Sequence, residues 1–174
     1  MDLRFRYLIA LGSNTGDRFH MLKDARSHIE HSIGPILAHA SIYETEPMGA
    51  ADSLFLNTAL ISASNLPPVE VMAELLAIEQ RLGRIRTEKW GNRTIDLDVL
   101  LCQEKKANGT HSPIILQSPT LTLPHPEMLK RSFVMLPAAE VASDWQHPLA
   151  HVCLGDALVA NFPANELQGA KRFS

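Results

Sequence analysis

Ile95-Asp96-Leu97-Asp98-Val99-Leu100-Leu101 reads as a strand that carries two acids. Side chains two apart on a strand share a face, so Asp96 and Asp98 stand together, while Ile95, Leu97, Val99 and Leu101 are expected in the core. Upstream of this strand, Pro67-Pro68 opens a helix whose Val71, Leu75, Ile78 and Leu82 form an apolar stripe, and Gly83 ends it. Two extended runs come earlier: residues 36–45, with Ile36, Ala38, Ala40 and Ile42 on one side, and residues 54–62, with Leu54, Leu56 and Leu60 inward. Their connection, through Glu46-Pro47-Met48-Gly49, is a loop. Further back, Leu22, Ala25, Ile29 and Ile33 recur at helical spacing after an N-capping Asp17, and Gly34-Pro35 closes that helix. Residues 6–11 form a first strand that runs into the turn-rich stretch 12–17. The order β-α-β-β-α-β, completed by the acid-bearing strand, is that of a ferredoxin-like α+β sandwich: an antiparallel sheet with helices packed on one face.

Outside that unit the patterning is weaker. Residues 103–120, with charges, Gly, Ser and Pro, are expected to form a long mobile connection holding a short strand at 114–116. A short helix is expected from Pro126 to Arg131, and a second over 133–141 broken at Pro137. The last six residues, 169–174, are expected to fray. A chain of 174 residues, 45% hydrophobic, can bury one core. It is read as a single domain over 1–174, with its core at about 6–142 and a C-terminal helical extension over 143–174.

The formal net charge of -3 argues against a general nucleic-acid binder. Basic character is local instead: between residues 84 and 93, Arg84, Arg86, Lys89 and Arg93 face only Glu88. Such a patch has a specific anionic target or is a solvated loop. The apolar run 7–11 is too short for a secretion signal, and no stretch could span a membrane. Cys102 and Cys153 are far apart and read as free thiols of a reducing compartment, so a cytoplasmic protein is expected.

Two adjacent carboxylates repel, and neither is buried unpaired at acceptable cost. Either Asp96 and Asp98 are solvated, or they share a cation, for which hard oxygen ligands suit Mg²⁺. A metal there would be shared with phosphate, and the neighbouring arginine forks match phosphate oxygens in pairs. The residues therefore point to a polyphosphate. Residues 12–17 lack the Lys-Ser/Thr of a P-loop and there is no GxGxxG, so phosphates would be held by side chains and metal. His125 sits in Leu121-Thr122-Leu123-Pro124-His125-Pro126, with Arg131 and Phe133 just beyond. It is a capping or core histidine, or it extends the basic theme. Phe55 and Asn57 share one face of the third strand. Asn57 satisfies a neighbouring backbone, or it reads the edge of a flat ligand stacked on an aromatic ring.

Several separated motifs then coincide. In Ala10-Leu11-Gly12-Ser13-Asn14, Tyr43-Glu44-Thr45-Glu46-Pro47-Met48-Gly49, Phe55-Leu56-Asn57, Leu82-Gly83-Arg84-Ile85-Arg86, Trp90-Gly91-Asn92-Arg93-Thr94-Ile95-Asp96-Leu97-Asp98 and Leu123-Pro124-His125-Pro126, the chain resembles the 6-hydroxymethyl-7,8-dihydropterin pyrophosphokinases of folate biosynthesis. The likeness covers most of residues 7–142.

The resemblance implies transfer of the β,γ-pyrophosphoryl group of ATP to the hydroxymethyl oxygen of 6-hydroxymethyl-7,8-dihydropterin, releasing AMP. It implies that Asp96 and Asp98 bind two Mg²⁺ ions, that Arg84, Arg86, Arg93, His125 and Arg131 neutralise phosphate, and that Arg84 and Arg93 act at the transition state. Glu79 would belong to the ATP site, and Val99, Leu121 and Thr122 would border adenine and ribose. Phe55 and Phe133 would sandwich the pterin, Asn57 would bond its edge, and the backbone of Thr45 and Met48 would complete its recognition. Asp96 would also reach the acceptor hydroxyl, and Trp90 would seal the site. The chain departs from the family at Asn92, where many members have proline, and at Phe55, where some have tyrosine. Small-molecule substrates, no nucleic acid, no membrane and a monomer are expected. Two other readings of the paired acids are a palm-type nucleotidyltransferase, which would release pyrophosphate, and a non-catalytic ligand-binding module of the same fold.

Overall fold

A computed structural model of the protein describes residues 3–47, 53–84 and 93–173. In chain order its elements are β1 (Phe5–Ser13), α1 (Arg18–Ser32), β2 (Ile36–His39), β3 (Tyr43–Thr45), β4 (Phe55–Ser64), α2 (Pro68–Arg81) and β5 (Asp96–Lys105). There follow β6 (His111–Pro113), β7 (Leu116–Gln117), β8 (Thr122–Leu123), a 3-10 turn at Met128–Lys130 and α3 (Ser132–Ala142). The chain ends with β9 (Gln146–His147), β10 (Val152–Cys153), α4 (Leu154–Asn161), α5 (Ala164–Gln168) and β11 (Lys171–Arg172).

The main sheet is antiparallel, with β1 between β4 and β5; β2 and β3 follow one another along the outer edge of β4. This is the ferredoxin-like order. Local chemistry sets the helices as expected: Asp17 accepts from the His20 N–H at 3.1 Å, and Pro68 opens α2 where no N–H is missed. At Gly34, φ is 152°, and a Cβ would lie 2.1 Å from the Ala63 carbonyl oxygen, so only glycine allows α1 to pass this closely to β4.

Helices cover both faces of the sheet, not one. Leu22, Ala25 and Ile29 of α1 and Val71, Leu75 and Ile78 of α2 pack on Tyr7, Ile9, Leu11, Leu56, Leu60, Leu97 and Val99. On the opposite face α3 and α4 pack over Leu8, Ala59, Ile61, Leu100 and Leu101. Leu101 therefore lies on the face opposite Ile95, Leu97 and Val99. The cause is a bulge: Leu8 pairs with Leu101 and Ile9 with Val99, so Leu100 is extra and the alternation shifts by one.

Other differences have similarly local causes. The single run expected over 36–45 is two strands: between His39, opposite Leu60, and Tyr43, opposite Asn57, three residues face two, so the ladder is interrupted at residues 40–42. Leu54 lies before β4 and is exposed. The long connection folds back as a β5–β6 hairpin turning at Gly109, whose φ is 83°. The strand expected at 114–116 is displaced: β6 ends at Pro113, and β7 starts at Leu116. The helix of residues 126–131 is a 3-10 turn, and α3 continues through the buried Pro137 instead of breaking there. Within the stretch expected to fray, Lys171 and Arg172 pair with Glu44 and Tyr43 of β3.

Candidate active site

The three central strands bring the site residues into register. Gly12 of β1 is the partner of Asn57 on one side and of Asp96 on the other; Ala10 is likewise flanked by Ala59 and Asp98. Asn57 and Asp96 are thus two strand spacings apart, about 10 Å, with no side chain standing between them. That gap suits a flat bicyclic ring. A Cβ at residue 12 would approach Asn57 Oδ1 to 2.9 Å, so glycine keeps the floor flat.

Above this floor is a cavity of about 300 Å³. Thr45, Phe55 and Asn57 form one wall; Arg93, Asp96 and Asp98 form the other. Arg131 and Phe133 overhang it from the start of α3. Asn57 Nδ2 donates to Thr45 Oγ1 at 2.7 Å, so its partner is a side chain in the cavity wall and not the backbone.

The acidic wall is a charged network. Asp96 Oδ1 accepts from Arg84 Nη1 at 2.7 Å, and Asp96 Oδ2 accepts from Arg93 Nη1. Arg84 also donates to Glu79, which is 2% exposed and accepts the Leu97 N–H at 2.8 Å. Burial pushes the Glu79 carboxyl up to about 7, against the lowering pull of the Leu97 N–H and Arg84. Burial also raises the Asp98 carboxyl, and the charge of Asp96 adds to it, while His125 and Arg131 oppose. Burial lowers the His125 imidazole, with Asp98 opposing. Nδ1 of His125 accepts from Glu127 N–H at 3.2 Å, which leaves the ring proton on Nε2.

Two carboxylates on one strand face, one raised by the charge of the other, form a site that favours a cation. Among the described residues no cluster of three or more His, Cys, Asp or Glu could hold a metal. A pair of carboxylates fits Mg²⁺, which keeps waters and takes substrate phosphate oxygens to fill its octahedron.

The other expected residues fall in different places. Glu79 lies beneath the wall and holds Arg84. Val99 and Leu121 are buried in the core against α1 and α2, Thr122 is exposed on β8, and none of the three lines the cavity above Gly12. Met48, Arg86 and Trp90 lie outside the described residues. Ala10, Gly12 and Asn14 are site residues that the sequence reading did not assign. Alternation of small Ala10 and Gly12 with large Ile9 and Leu11 was the available signal for the floor. Asn14, which is buried, accepts the Arg93 N–H at 2.6 Å, and its own N–H donates to Arg93 O at 3.1 Å, fixing the end of the basic loop.

Residues 8–143 match the sequence model of the 7,8-dihydro-6-hydroxymethylpterin-pyrophosphokinase (HPPK) family. The chain belongs to this family. An HPPK-family relative from Porphyromonas gingivalis, named 2-amino-4-hydroxy-6-hydroxymethyldihydropteridine pyrophosphokinase, is 39% identical over 146 residues, 82% of this chain and 93% of the relative. A Bacillus subtilis protein of the same name is 39% identical over 135 residues, covering 76% of this chain and 75% of its own. Among solved structures, a Plasmodium falciparum HPPK-DHPS triple mutant with SDX-DHP superposes with a TM-score of 0.72 at 15% identity. It covers 97% of this chain, which spans 48% of that one, and the likeness carries the fold alone. As an HPPK, the protein is a pyrophosphokinase of folate biosynthesis that transfers a pyrophosphoryl group to hydroxymethyldihydropterin, with ATP as co-substrate. Among the described residues no helix is long and apolar enough to cross a membrane.

Proposed function

We propose that the Asn57–Gly12–Asp96 row is the axis of the reaction, with the dihydropterin lying on Gly12 and the triphosphate on the Asp96 side. The register of those three residues carries this reading. Phe55 and Phe133 stack on the pterin and Asn57 and Thr45 bond its edge. Asp96 and Asp98 hold two Mg²⁺ ions, which supply charge neutralisation to the triphosphate when bound. Asp96 gives both its oxygens to Arg84 and Arg93, which holds the two guanidinium groups beside the place where the triphosphate would lie. Arg131 adds positive charge on the same side, and His125 offers its Nε2–H as a neutral donor. Glu79 orients Arg84. Pyrophosphoryl transfer asks mainly for positioning and charge stabilisation, and these groups provide both. The chain acts as one ATP-dependent domain over 1–174, as a cytoplasmic monomer, and the product nucleotide is AMP.

Mixing the protein with ATP, Mg²⁺ and 6-hydroxymethyl-7,8-dihydropterin and separating the nucleotides tests the reaction. AMP together with the pterin diphosphate is expected. Pyrophosphate with an adenylylated pterin would instead mean nucleotidyl transfer.

A further inference from the structure

Arg18, the first residue of α1, makes two bonds that the reaction described above does not use. Its Nη2 donates to Glu44 Oε2 at 2.8 Å, and its Nη1 donates to the Leu54 carbonyl oxygen at 2.8 Å. Glu44 immediately precedes Thr45, and Leu54 immediately precedes Phe55. Thr45 and Phe55 are cross-strand partners at the end of the β3–β4 ladder, and both line the cavity. Residues 46–54 connect them, and among the described residues no strand pairing continues beyond that last pair. One guanidinium therefore spans both stems and ties them to α1, which the buried Leu22, Ala25 and Ile29 fix to the sheet. Asn14, in the loop just before α1, adds a long bond from Nδ2 to Ser53 O at 3.4 Å.

We infer that Arg18 is a positioning residue for the acceptor: it sets the separation of the Thr45 and Phe55 stems, and with it the fit of the dihydropterin. The inference rests on the assignment of Thr45, Phe55 and Asn57 to the acceptor side. Arginine is required because two donors in a fixed plane must reach a carboxylate and a carbonyl at once; the single ammonium of lysine cannot span both. The ion pair is partly exposed, with side chains 26% and 28% accessible, so its role is geometric more than stabilising. Arg18 does not line the cavity, and the phosphate side does not depend on it.

The test is steady-state kinetics with each substrate varied in turn, with thermal melting alongside, for Arg18→Ala, Arg18→Lys, Glu44→Ala, Glu44→Gln and Asn57→Ala. Arg18→Lys keeps the charge and stem and serves where Arg18→Ala fails to fold. Both Arg18 variants are expected to raise the dihydropterin KM about fivefold to twentyfold, with the ATP KM within about twofold. Glu44→Gln, which keeps an acceptor oxygen, should recover most of what Glu44→Ala loses, and Glu44→Ala should add little on top of Arg18→Ala. A lower melting temperature with both KM values unchanged, or both KM values raised alike, would mean Arg18 is merely structural. If Asn57→Ala raises the dihydropterin KM in that case, the acceptor side stands and only the Arg18 role falls. If Asn57→Ala leaves it unchanged as well, the acceptor assignment falls and the Arg18 role with it.

Discussion

At Asp98, burial and the charge of Asp96 act in the same direction, holding the carboxyl above its ordinary range. A group held that way is a cost to the empty fold and is retained for what it binds. Asp98→Asn is therefore expected to melt at the same temperature as the parent or higher, while AMP release falls by a factor of about 10³; a large loss of stability would make the acid structural. Glu79 makes a pH-dependent case. Its carboxyl rises from the usual 4.5 to about 7 on folding, so its neutral form stabilises the fold. That contribution is fully present below about pH 4.5 and is lost as the pH rises through about 7, an effect of roughly 3 kcal/mol. In melting curves from pH 5 to 8, Glu79→Gln should remove this decline, so that the gap between variant and parent moves in the variant's favour as the pH rises. Asp96 and Asp98 were legible as a pair because strand alternation puts them on one face. Gly12 was not, because a glycine before Ser13-Asn14 has the composition of a turn, and only pairing on both sides shows it to be strand.

Among the elements, α1 and α2 were legible down to their caps, since helical spacing, the Asp17 cap and Pro68 are all local signals. The Leu100 bulge was not, because which two residues oppose one is decided by β1 and not by β5. The break between β2 and β3 is equally non-local, since residues 40–42 face only two residues of β4. The turn from α1 into β2 is where one residue governs an element. With the Ala63 carbonyl 2.1 Å from the position of a Cβ, Gly34→Ala must move either helix or strand. A loss of about 3 kcal/mol or more is expected, to be read from the midpoint of urea unfolding. A loss under about 1 kcal/mol would show that the turn relaxes easily.

For the whole molecule, the βαββαβ plan was readable from the order of periodic segments, whereas the covering of the second face by α3 and α4 was not. Residues 132–161 carry little helical periodicity of their own, and their burial is decided by the sheet they land on. The tail pairs with β3 at Lys171 and Arg172, a stretch too short to leave a pattern in sequence. The site lies at one end of this second face, beside the part that α3 closes, so filling it should stabilise the entire fold. ATP with Mg²⁺ is expected to raise the melting temperature by several degrees at about a hundredfold excess over its dissociation constant, and chelation of the metal should abolish most of the shift. An equal shift with and without chelator would count against the paired acids as metal ligands.

The bare floor at Ala10 and Gly12 has a consequence for inhibition. A flat inhibitor spanning from Asn57 to Asp96 would rest on a position where any added side chain strikes Asn57, so a substitution there that expels the drug would expel the substrate too. Escape by mutation would have to come from the walls, which leaves the centre of the site as the more durable target.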